Sequence, residues 1–142
     1  MSVTAVENWD AAVANLQKVA AASSAARQAV EGLNKSGVFP DGHAYVRTLT
    51  DLGKIDQAQI AAANFLQTVP NDWGQSTQMQ VQAYTQTIGA LVNDLTANGT
   101  IGIKDAASQS TVKTSIDAIT AAVKLILDLF APVAVPASLF RR

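Results

Sequence analysis

One apolar seam constrains the fold of this chain more than any other feature. Its residues alternate in steps of four and three: Val112, Ile116, Ile119, Val123, Ile126 and Phe130. Side chains at this spacing lie along one side of an α-helix, and a helix with such a side packs against other helices. Leu125, Leu127 and Leu129 lie off the seam, so the same helix is apolar on more than one side. The stretch therefore predicts both a core helix and the beginning of a contact surface.

Two other long helices are predicted from apolar periods and from their starting residues. The first extends from about Val3 to Leu33 and begins with the capping-box pattern Thr4-Ala5-Val6-Glu7. The second begins near Asp72, continues to about Ala97 and carries its own seam of steps of three and four. Trp9 falls on the seam of the first helix and is expected in the core. Trp73 stands at a helix start, where stacking on a ligand is an alternative to burial.

Residues 44–68, which lie between these helices, give a mixed signal. Their first part, Ala44–Leu52, combines strand-forming residues with a helical apolar spacing and is predicted as a short helix, with a strand as the alternative. Gly53 is expected to end this segment, because glycine is unfavourable inside a helix. A separate helix is predicted from Asp56, with Ile60 and Leu66 on its buried side.

Together these segments predict an all-α fold. We expect an antiparallel bundle of four main helices plus a short fifth helical or extended segment, followed by an extended apolar C-terminal tail. Residues 1–131 would form the helical bundle, and residues 132–142 the extended, proline-containing tail. A chain of 142 residues is expected to form one domain.

Composition argues against several classes of function. Only 15% of the residues are charged, the net charge is -1, and there is no cysteine. Nucleic-acid binding needs clustered lysine and arginine, which this chain lacks. Without cysteine there is no thiol nucleophile, and two glutamates with one histidine, His43, are too few for a di-metal carboxylate site. We therefore expect no enzymatic activity, no cofactor, no metal and no small-molecule substrate.

The tail and the end of the last helix are the predicted partner-binding region. Residues 129–140 are uncharged and precede two arginines. Such a segment folds back on its own bundle, docks on a neighbouring subunit or touches a membrane surface, and the sequence leaves these alternatives open. It is too short, and too rich in proline, to span a bilayer. The residues assigned to partner binding are Leu125, Leu129, Phe130, Val133, Val135, Leu139, Phe140, Arg141 and Arg142.

These observations support one leading functional hypothesis and two alternatives. The leading hypothesis is a non-enzymatic structural protein that forms multi-copy homo-oligomers, with a virus or phage particle as one setting. The first alternative is a small helical adaptor or inhibitor that binds another protein. The second is a peripheral membrane-surface protein. The first ten residues lack the basic patch and apolar run of a secretory signal, so we expect a cytoplasmic or virion location.

Overall fold

The protein is an antiparallel four-helix bundle. A computed structural model describes residues 3–37, 42–98 and 106–130, and within these residues it contains four helices and no strand. The helices are α1 (Val3–Lys35), α2 (Gly42–Thr68), α3 (Gln75–Asn98) and α4 (Ala106–Asp128). Helix α1 packs against α2 and α4, and α3 also packs against α2 and α4. The helices therefore occupy four corners in chain order, and the predicted all-α bundle is confirmed.

Contacts at one end of the bundle establish the antiparallel order. The indole N–H of Trp9, near the start of α1, donates a hydrogen bond of 3.1 Å to the carbonyl oxygen of Leu66, near the end of α2. Trp73, just before α3, stacks on Phe130, just after α4, with ring centroids 5.6 Å apart. Each pair joins the beginning of one helix to the end of its neighbour, as short connections between helices require.

The core consists of the apolar seams of the four helices. All six residues of the seam in residues 112–130 are buried, which confirms the prediction for α4. Burial of one large aliphatic side chain contributes roughly 1.5–3 kcal/mol, so seams of this size supply most of the stability of the bundle. The largest fully buried side chains are Leu16, Val19 and Val30 of α1, Leu52, Ile55 and Leu66 of α2, Val81, Ile88 and Leu95 of α3, and Ile119 and Ile126 of α4.

Helix α2 differs from the prediction, because it is continuous. The expected end at Gly53 is wrong, as is the strand alternative for residues 44–52, and the short fifth segment forms the first part of a 27-residue helix. Leu52 and Ile55 stand on either side of Gly53 and are both fully buried. An uninterrupted buried side outweighs the roughly 1 kcal/mol that glycine costs inside a helix.

The predicted start of a helix at Asp56 is wrong for the same reason, and the carboxylate of Asp56 has another partner. It accepts a hydrogen bond of 2.6 Å from the guanidinium of Arg27 on α1. Both side chains of this ion pair are 33% exposed, so solvent weakens their attraction and the pair contributes little to stability.

The C-terminal end of α1 and the start of α3 follow their sequence signals. Gly37, directly after α1, has a φ of 76°, the left-handed conformation that glycine adopts at helix ends. Before α3, the carboxylate of Asp72 accepts a hydrogen bond of 2.8 Å from the backbone N–H of Gly74. The sequence Pro40-Asp41-Gly42 is typical of a turn, and residues 100–104 are predicted as a short extended link. The first falls mostly outside the described residues, and the second lies wholly outside them.

Replacement of Gly53 by alanine is expected to stabilise the bundle. A Cβ atom at Gly53 would meet nothing within 4 Å, and alanine has less freedom to lose on folding. We expect Gly53→Ala to raise the free energy of unfolding by roughly 0.5–1 kcal/mol in urea denaturation. Gly37→Ala is the matched control, because a Cβ there also meets no atom but the φ is positive. It should lower stability by about 1 kcal/mol, and a loss of stability in Gly53→Ala would contradict a continuous α2.

Candidate interaction surfaces

The end of α4 exposes part of its apolar surface. Leu125 is 46% exposed and Leu127 is 37% exposed, while Leu129, one turn after Leu125, is half-buried. Leu125 and Leu129 are four residues apart and lie on one side of α4, whereas Leu127 is two residues from each and projects from the other flank of the seam. We call Leu125 and Leu129 the α4 surface. Both lie off the buried seam, as the sequence predicted, although Leu129 also packs against the core. The α4 surface is therefore a candidate contact site.

Phe130 is not part of this exposed surface, although the sequence assigned it to partner binding. It is only 7% exposed, and its ring stacks on Trp73 with an interplanar angle of 17°. Its place at the end of the α4 seam explains this burial. Trp73 is equally buried, so the alternative in which it stacks on a ligand is wrong. The remaining assigned residues, which belong to the predicted tail, lie outside the described residues: Val133, Val135, Leu139, Phe140, Arg141 and Arg142.

A second exposed apolar surface lies on α2. Val46 is 58% exposed and Ile60 is 53% exposed. Because 14 residues make nearly four helical turns, these two side chains project from the same side of α2, about 21 Å apart along its axis. The residues between them on that side carry no charge. We define the α2 surface as Val46, Thr50, Gly53, Gln57, Ile60 and Asn64.

Sequence reasoning missed the α2 surface because it placed Ile60 in the core. That prediction is wrong: the buried residues of this part of α2 are Ile55, Gln59, Ala62 and Leu66. The error came from starting a new helix at Asp56 instead of extending the period of the preceding segment. Had the buried spacing of Leu52 and Ile55 been continued, Ile60 would have fallen on the opposite side.

The two surfaces lie on different sides of the molecule. Helices α2 and α4 both pack against α1 and α3, so they occupy diagonally opposite corners of the bundle. The solvent-facing sides of diagonal helices point away from each other. A single partner contacting one of these surfaces would consequently leave the other free.

Other concave features offer little specific chemistry. A cavity of about 120 Å³ lies between α3 and α4, and its lining includes Thr96, Ile116 and the exposed ion pair of Lys113 with Asp117. A wide, open groove between α2 and α3 contains Lys54, Tyr84 and Leu91. His43 is exposed near the start of α2. Within the described parts of the chain, no group of three or more potential ligands could hold a metal ion.

Comparison with known proteins identifies no relative, since no family model, curated protein or solved structure matches the chain. No helix within residues 3–37, 42–98 and 106–130 is both long enough and apolar enough to cross a bilayer.

Alanine substitutions should separate the core residue Phe130 from the exposed Leu125. Phe130→Ala removes the stacking partner of Trp73, and we expect a loss of about 3 kcal/mol in the free energy of unfolding. Leu125→Ala should change stability by no more than about 0.5 kcal/mol, because nearly half of the residue is already exposed to water. Urea denaturation followed by circular dichroism measures both. Equal effects of the two substitutions would contradict this division between core and surface.

Proposed function

We propose that this chain is a non-enzymatic structural protein that assembles into multi-copy homo-oligomers. The observation that carries the proposal is the position of two exposed apolar surfaces on diagonally opposite helices. One such surface would support a closed pair of subunits. Two surfaces that point in different directions let each copy contact two neighbours, which is the requirement for a ring or a longer assembly.

The charge distribution supports a second copy of this chain as the occupant of both surfaces. The α2 surface is uncharged along its length, and the net charge of the chain is only -1. Electrostatic repulsion between copies is therefore weak, and the uncharged side of α2 can approach a neighbour without burying unpaired charges.

The proposed setting is a virus or phage particle. Its support is compositional: the chain is poor in charge, contains no cysteine and is rich in alanine, glutamine and threonine. Self-assembly through two surfaces suits a component that is present in many copies. An adaptor that binds a different protein would use one surface for that partner, and this alternative predicts a monomer when the chain is alone.

Solution mass measurements on surface variants test the proposal. We expect the unmodified chain to show a concentration-dependent mass of several times 14.8 kDa in light scattering coupled to size-exclusion chromatography. Leu125→Lys disrupts the α4 surface, and Ile60→Lys disrupts the α2 surface. If each surface contacts its own equivalent, either variant alone should leave a dimer; if α2 contacts α4, either should give a monomer. The double variant should be monomeric in both cases.

The matched control is Gln86→Lys, which adds the same charge at an exposed position of α3 outside both surfaces. It should retain the mass of the unmodified chain. Circular dichroism should show equal helix content in all variants, so that loss of assembly is not confused with unfolding. A chain that stays at monomer mass over the whole concentration range would contradict the proposal.

A further inference from the structure

Asp51 is an unusual residue for the interior of a bundle. It is only 6% exposed, and its neighbours Thr48, Leu52 and Ile55 on α2 are buried as well. The Oδ2 atom of Asp51 is sealed from solvent and has no hydrogen-bond partner. A fully ionised carboxylate in such a place loses hydration without compensation, which is strongly unfavourable. The geometry therefore favours a neutral carboxyl group at Asp51.

Asp94 on α3 is the charged neighbour of Asp51 across the helix interface. Its side chain is within hydrogen-bonding reach of the Asp51 carboxyl group and raises the pKa of that group, and Asp94 is exposed to solvent. Carboxylate oxygens only accept hydrogen bonds, so two carboxyl groups can bond to each other only when one of them carries a proton. The exposed position of Asp94 gives that proton a path from water.

The positive charges near Asp51 do not outweigh the effects that favour its protonated form. Arg47 and Lys54, both on α2, act on Asp51 at a distance and favour its ionised form, but their effect is smaller than those of burial and of Asp94. On α1, which also packs against α2, the charged residues beyond Arg27 are Glu31 and Lys35, and both are exposed. Asp51 thus has a carboxyl group, rather than a cation, as its neighbour within hydrogen-bonding reach.

We propose that Asp51 and Asp94 share one proton, and that this proton strengthens the contact between α2 and α3 as the pH falls from neutral to mildly acidic. The pair makes the stability of the contact between α2 and α3 depend on pH. It does not depend on the proposed function, because it acts inside a single copy. At neutral pH the pair loses its proton, and two like charges then face each other across the helix interface.

The pKa of Asp51 determines the direction in which stability changes with pH and the pH range over which it changes. Burial, followed by the hydrogen bond and the negative charge of Asp94, raises the pKa of Asp51 from 3.8 to about 6. A raised pKa in the folded state means that the folded chain binds more protons than the unfolded chain between these two values. The stabilisation is therefore fully present below pH 3.8 and is lost as the pH rises through about 6.

Chemical denaturation at two pH values tests this pH dependence of stability. For the unmodified chain, the contribution of Asp51 should lower the unfolding equilibrium constant about tenfold between pH 7 and pH 5. Asp51→Asn is neutral at both values and should lack this contribution. Asp117→Asn is the matched control, because the Asp117 side chain is 60% exposed and should leave the pH response unchanged.

Two further measurements keep the test decisive if Asp51→Asn folds poorly. Asp94→Asn removes the like charge and should reduce the pH response without abolishing it, because burial of Asp51 remains. In the unmodified chain, carbon-13 NMR should show the carboxyl group of Asp51 titrating near the pKa of about 6. A midpoint near the ordinary value of 3.8 would overturn the proposal.

Divalent cations provide the competing explanation. If the two carboxylates bind a metal ion instead of a proton, millimolar Ca²⁺ or Mg²⁺ at pH 7 should stabilise the unmodified chain but not Asp51→Asn. That outcome would overturn the shared-proton proposal, whereas indifference to both cations supports it. Equal pH responses in the unmodified chain and Asp51→Asn would overturn it as well.

Discussion

Burial of the α4 seam between α1 and α3 is the interaction on which the bundle depends. Helix α4 has no charged residue on this side, and its seam continues to Phe130, where the stack with Trp73 closes one end of the core. Against α3, α4 packs in ordinary van der Waals contact: a Cβ added at Gly89 would lie 3.9 Å from Cγ1 of Val123. Each seam is shielded from water only when all four helices pack together. The helices therefore stabilise one another rather than fold independently.

Polar residues enter this core without breaking it, because threonine can satisfy its own hydroxyl group inside a helix. Thr48 and Thr85 are almost completely buried, and each donates a hydrogen bond of 2.7 Å to the carbonyl oxygen four residues earlier. The hydroxyl group therefore needs no partner from another helix. A chain rich in threonine and poor in charge can consequently form a tightly packed bundle. Asp51 does not use this solution, because its Oδ2 atom is buried without a hydrogen-bond partner.

Much of the fold could be predicted because apolar period and helix ends are local signals. The α4 seam, the end of α1 and the start of α3 all follow from residues close together in sequence. The continuity of α2 could not be read in the same way, because Gly53 is locally unfavourable and only the packing of Leu52 and Ile55 against other helices overrides it. Ile60 and Asp51 were missed as a consequence, since their positions depend on the register of the whole helix. Of the candidate contact residues, the off-seam leucines of α4 were predictable and the α2 surface was not.

The contacts at this end of the bundle also involve two intrinsic fluorophores. Trp9 and Trp73 are the only tryptophans in the chain, and they lie at the same end but on different helix pairs. The indole of Trp9 is bonded to α2, whereas that of Trp73 is stacked beside the end of α4. Fluorescence from chains that keep one tryptophan at a time would follow each pair separately. Such chains distinguish a bundle that melts as one cooperative unit from one that opens as two helical hairpins in sequence.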